Sequence, residues 1–64
     1  MKREDLTRYL LSQGCILIRE GARHSIFFHS DTKKISTVPR HKEIDSFLGR
    51  KICRDLGIEE IKKR

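Results

Sequence analysis

The hydrophobic period of this chain changes twice along its length, and that change restricts the fold more than any single residue does. From Arg3 to Gln13 the apolar side chains Leu6, Tyr9 and Leu10 recur at i, i+3 and i+4, the stripe of a helix with one buried face. Gly14 follows where a left-handed cap ends a helix. From there the pattern shortens. Cys15 to Glu20, His24 to Ser30 and Lys34 to Val38 are apolar or β-branched runs, separated by Gly21-Ala22-Arg23 and by the turn formers Ser30-Asp31-Thr32-Lys33. They predict three strands of an antiparallel meander that Pro39 ends. The helical period returns near Asp45, an N-capping residue type, with Leu48, Ile52 and Leu56 at every fourth position and Gly49 and Cys53 on the same face. Gly57 stops that helix, Ile58 folds back on it, and Glu59 to Arg64 reads as a frayed or partner-docked tail. The order is α-β-β-β-α, an α+β fold with a three-stranded antiparallel sheet. Both helices belong on one face of the sheet, because each apolar stripe needs a surface to bury against.

Sixty-four residues can build one small core that buries about 60% of the unfolded surface, so residues 1–64 are expected to form one domain. A core of that size also favours a partner that covers further apolar surface. No apolar run approaches the length of a membrane span, and no secretory signal is recognisable, so the expected location is the cytoplasm and no membrane is expected as a partner. Cys15 and Cys53, the two cysteines, fall among apolar residues and read as reduced core residues. Lysine and arginine outnumber aspartate and glutamate by 15 to 9, for a net charge of +6. Such an excess favours a polyanionic partner, although a solvated basic surface has the same composition. The aromatics are Tyr9, Phe27, Phe28 and Phe47, and the three phenylalanines read as core. That argues against base stacking on a sheet and for reading of backbone and shape.

The three histidines test a metal site by strand parity. His24 and His29 are five apart, so on a regular strand they face opposite ways and cannot share an ion. Neither cysteine pairs with a histidine at ligand spacing, and no cofactor motif is present, so neither a metal nor a cofactor is expected. Phosphodiester cleavage in RNA asks for less. The 2′-hydroxyl is a nucleophile already in the substrate, so the protein must move a proton, protonate the leaving oxygen and offset charge on the phosphorane. His24, just past a glycine turn, is the candidate acid or base. Arg19, Arg23, Lys33 and Lys34 lie near it in sequence as candidate phosphate contacts. Arg40 and His41 follow the third strand and could approach the same face. Lys42, Arg50, Lys51 and Arg54 line the second helix as a basic edge suited to phosphates. His29, on the strand face of Phe27, reads as a strand-end surface residue. The bland alternative for His24 is a surface histidine closing a turn, and for the helix cations a solvated face.

The helix ending in Gly14, the strand leading to Gly21-Ala22-Arg23-His24, the segment Thr37-Val38-Pro39-Arg40-His41 and the ending Arg50-Lys51-Ile52-Cys53-Arg54-Asp55-Leu56-Gly57 together resemble the HicA family of small bacterial toxins. These are messenger-RNA endonucleases of type II toxin-antitoxin systems. The resemblance implies a fold similar to the double-stranded RNA-binding domain, in the same α-β-β-β-α order. It places the family's active-site histidine, in a glycine-x-x-histidine motif, at His24. Family members usually carry Gly or Ser two residues before that histidine, where this chain has Ala22-Arg23. A HicB-type antitoxin is the implied protein partner, with messenger RNA as substrate and any oligomer formed through the antitoxin. A non-catalytic double-stranded RNA-binding module and an adaptor for an acidic protein remain as alternatives from other classes.

Overall fold

A computed structural model describes residues 1–62. Its elements are α1 (Arg3–Ser12), β1 (Cys15–Glu20), β2 (His24–His29), β3 (Lys34–Pro39) and α2 (Ser46–Asp55). The strands form one antiparallel sheet in the order β1-β2-β3, as the alternation of apolar runs and turn formers predicts. Gly14 at φ +93° and Gly57 at φ +73° end the two helices in the left-handed region that L side chains avoid.

Both helices pack against the same side of the sheet. Leu6 and Leu10 from α1, Ile52, Cys53 and Leu56 from the α2 side, Phe27 and Val38 from the sheet, and Cys15 and Ile44 at its margins form the buried cluster. In β2 the burial alternates strictly: Ser25, Phe27 and His29 face the helices while His24, Ile26 and Phe28 face away. The second face carries no helix. Ile16, Phe28 and Ile35 lie directly opposite one another across the three strands, and Arg19, Ile26 and Thr37 form the next rung toward His24. A bulge between Leu17 and Arg19 lets β1 keep pairing while its twist increases.

Four sequence expectations are corrected. His29 is not a surface residue: it is 7% exposed, because the helix side of the sheet covers it. Its Nε2 lies 2.8 Å from the Gln13 carbonyl oxygen, and its Nδ1 accepts the Thr32 N–H at 3.3 Å. Phe47 is not core; at 70% exposed it projects from the first turn of α2, with the Arg50 guanidinium 5.5 Å from its ring centre. Phe28 is half-buried on the helix-free face. The segment after Gly57 is not frayed as far as Lys62. Ile58 and Ile61 pack on the core cluster, and the Tyr9 hydroxyl donates to the Glu59 carbonyl at 2.7 Å. Residues 63 and 64 of the expected tail lie outside the described residues. Asp45 does occupy the N-cap of α2, but its side chain makes no capping hydrogen bond.

Cys15 and Cys53 are free and buried. Burial pushes both thiols above their ordinary value, and at Cys15 the nearby Cys53 adds to the effect. At Cys53 the Ile61 backbone opposes the rise and the Glu60 carboxylate reinforces it.

Candidate functional site

The turn between β1 and β2 is built to present one side chain. The Gly21 N–H donates to the His24 carbonyl at 2.7 Å, and a Cβ on Gly21 would stand 3.1 Å from that same oxygen, so the tight closure favours glycine. Arg40 then ties this turn to the end of β3. Its guanidinium donates to the Gly21 carbonyl at 3.1 Å and pairs with Glu20 at 2.8 Å, and its backbone N–H donates to the Arg23 carbonyl at 3.2 Å. His24 opens β2 opposite Pro39 and is exposed on the helix-free face. Among the described residues, no group hydrogen-bonds its imidazole.

Two shallow depressions share Ala22, Arg23 and His24. One, of about 330 Å³, adds Arg19, Gly21, Ile26 and Thr37. The other, of about 430 Å³, adds Pro39, Arg40 and His41. The imidazole is therefore reached from two sides, with cationic side chains in each approach. That arrangement suits a phosphodiester lying over His24, with backbone phosphates before and after it near arginine.

The other sequence candidates are distributed unevenly. Arg19, Arg23, Arg40 and His41 gather at His24, and Arg40 also holds the turn in shape. Lys33 and Lys34 do not gather there. Lys34 pairs with His29 at the other end of β2, five rises or about 17 Å from His24. Lys42 lines a separate hollow with Lys2, Arg3 and Glu43 that shares only Arg40 with the His24 site. On α2, Lys51 is paired with Asp55 at 2.9 Å and Arg54 with Glu60 at 2.6 Å, so local carboxylates offset their charge. Among the described residues Arg50 has no such ion pair, and it leans on Phe47. Among the described residues no three His, Cys, Asp or Glu side chains converge as a metal-binding group.

One participant was missed by sequence reasoning. Arg3, in the first turn of α1, reaches both β2 and β3 beside His24: its Nε donates to the Pro39 carbonyl and its Nη2 to the Ser25 hydroxyl, both at 2.8 Å. Nothing in the local sequence signals this, because the partners are 36 and 22 residues away.

The fold and site define a small basic α+β domain that displays an unengaged imidazole among arginines at one end of an open sheet face. The family model for the HicA toxin of bacterial toxin-antitoxin systems matches residues 3–58, a segment containing all five elements and the His24 turn. The chain belongs to the HicA toxin family, and so takes the toxin's place beside an antitoxin partner. No curated protein and no solved structure matches the chain. No helix among the described residues is long and apolar enough to cross a membrane.

Proposed function

We propose that this toxin is an endoribonuclease that cuts messenger RNA by internal transesterification, with His24 moving the proton and no metal required. The observation that carries this reading is the exposed His24 ring shared by two depressions with Arg19 and Arg23 in one and Arg23, Arg40 and His41 in the other. In the reaction the 2′-oxygen attacks the adjacent phosphorus as its proton passes to a base. The P–O5′ bond breaks, and the leaving 5′-oxygen takes a proton. The products are a 2′,3′-cyclic phosphate and a 5′-hydroxyl. His24 serves as the acid or base, and the arginines offset the extra negative charge of the phosphorane. RNA is held mainly through its backbone, with Lys42, Arg50, Lys51, Arg54, Lys33 and Lys34 as more distant phosphate contacts.

The antitoxin is proposed to be of the HicB type, with any oligomer formed through it and with both proteins acting in the cytoplasm, where messenger RNA is translated. An apolar docking surface supports a protein partner. Leu11, Ile16, Leu17 and Ile18, in the last turn of α1 and along β1, are each 46% exposed or more. Exposed apolar side chains at this sheet edge and the neighbouring helix end are the kind of surface a protein partner covers.

The test is inducible expression in bacteria of the wild-type chain beside His24→Ala, with folding checked by circular dichroism and the RNA ends sequenced. The expected result is growth arrest and cyclic-phosphate ends with wild type alone. Cuts leaving 5′-phosphates, or equal activity of both proteins, would refute the mechanism. Salt-sensitive RNA binding by both with cleavage by neither would make the chain a binding module.

A further inference from the structure

We propose that Arg3 is a positioning residue for His24, a role that rests on the reading of His24 as the acid or base. Three hydrogen bonds converge from this one residue on the surroundings of the imidazole. Nη2 donates to the hydroxyl of Ser25, the next residue along β2, which is fully buried. Nε donates to the carbonyl of Pro39, the residue opposite His24 across the β2–β3 ladder. The Arg3 backbone N–H donates at 2.8 Å to the carbonyl of Lys42, in the segment leaving β3. Arg3 thus grips the chain neighbour of His24, its cross-strand neighbour and the following loop at once. Arg40 secures the turn that precedes it.

The chemistry of Arg3 is unlike that of the other paired cations. Arg8, Arg40, Lys51 and Arg54 each meet a carboxylate, whereas Arg3 is half-buried and directs its donors to two neutral oxygens. Partly dehydrating a guanidinium against neutral acceptors is costly, and an apolar side chain would fill the same space more cheaply. What the guanidinium supplies is geometry: a planar fork with donors at fixed angles, able to hold two strands in one relation. That constraint matters here because His24 and Pro39 form the last rung of the ladder, which Arg40 closes from the turn side and Arg3 holds from the helix side. A displacement of about 1 Å at a reacting group can lower a rate about 100-fold.

The experiment compares wild type, Arg3→Met, Arg3→Lys, Ser25→Ala and His24→Ala on a labelled single-stranded RNA of mixed sequence. Each is assayed well below its own melting temperature. Arg3→Met is expected to lower kcat about 10- to 100-fold with KM within about twofold of wild type. Arg3→Lys should recover part of that loss, since an ammonium can reach one of the two acceptors. Ser25→Ala, which leaves Arg3 and its Pro39 bond in place, should lower kcat in the same direction by less, and it keeps the test intact if Arg3→Met fails to fold. A lowered melting temperature with unchanged kcat would show a merely structural role and overturn the proposal. A raised, salt-dependent KM at constant kcat would make Arg3 an RNA contact and overturn it too. If His24→Ala is inactive while the Arg3 and Ser25 variants keep full kcat, the positioning role alone fails; if His24→Ala is fully active, the reading of His24 fails first.

Discussion

His24 and His29 open and close the same strand, and they have opposite fates. His29 is covered by the helix side of the sheet, and its two ring nitrogens are committed to Gln13 and Thr32. Since the Thr32 N–H points at Nδ1, the proton that meets the Gln13 carbonyl resides on Nε2, so the contacts select one tautomer. His24 lies on the uncovered face with its ring unengaged and cationic side chains around it. The difference teaches that side-chain chemistry alone does not make a site here. An odd spacing along β2 puts the two rings on opposite faces, and packing of both helices on one face decides which ring is enclosed and which stays exposed.

The sharpest way to break this comparison is to remove each ring in turn. His24→Ala should lower RNA cleavage at least about 100-fold, the scale of losing a positioned acid or base, while leaving the melting temperature nearly unchanged because the side chain is exposed. A variant that lost stability instead of rate would reverse the assignment of the two faces.

The faces themselves can be compared through leucine and isoleucine. Leu6→Ala, within the buried cluster, should cost about 2–5 kcal/mol in urea unfolding. Ile35→Ser, on the open face where Ile35 is 57% exposed, should stay within about 0.5 kcal/mol. Equal losses at the two positions would mean that the open face is covered in the free protein.

His29→Ala should be a stability variant. Losing both ring contacts and leaving the Gln13 carbonyl and Thr32 N–H short of a partner should cost about 1–3 kcal/mol, with kcat retained wherever the protein is folded. Loss of kcat in a fully folded His29→Ala protein would contradict the division of labour.

The smallest effect concerns the thiols of the covered side. Burial raises the values of Cys15 and Cys53 in the folded chain, so at neutral pH both states keep their protons and no stability difference arises from them. As pH climbs past the ordinary thiol value the unfolded chain ionises first, and stability should fall until the raised folded values are passed. Guanidinium unfolding across alkaline pH, compared with a Cys15→Ala/Cys53→Ala double variant, reads this slope. An identical slope in the variant would remove the thiols from the account.

Much of the architecture was legible because it depends on local periods. Leu6 and Leu10, the caps at Gly14 and Gly57, and the turn formers around residues 21 and 31 report their own elements without needing to know the rest. The glycine turn before His24 and its parity against His29 belong to the same class, being properties of a single strand and its connection. Phe28 and Phe47 were misplaced for the converse reason. Hydrophobicity says that an aromatic prefers burial, but on this sheet the helices cover one side only, and the ring of Phe47 points away from that side. His29 was misplaced because enclosure depends on what packs over it, which the strand's own pattern does not record. Lys33 and Lys34 looked close to His24 because the chain is short between them, yet one strand length separates them in space.

By itself the sequence determined the order and ends of the elements, the cationic excess and the presence of one imidazole at a tight turn, since each follows from backbone preferences or residue chemistry within a few positions. Only the tertiary structure decided which sheet face stays open and that Arg3 reaches Ser25 and Pro39 behind His24. The open face and the reach of Arg3 depend on contacts between residues far apart in the chain, and they exist only once the helices have closed over one side of the sheet.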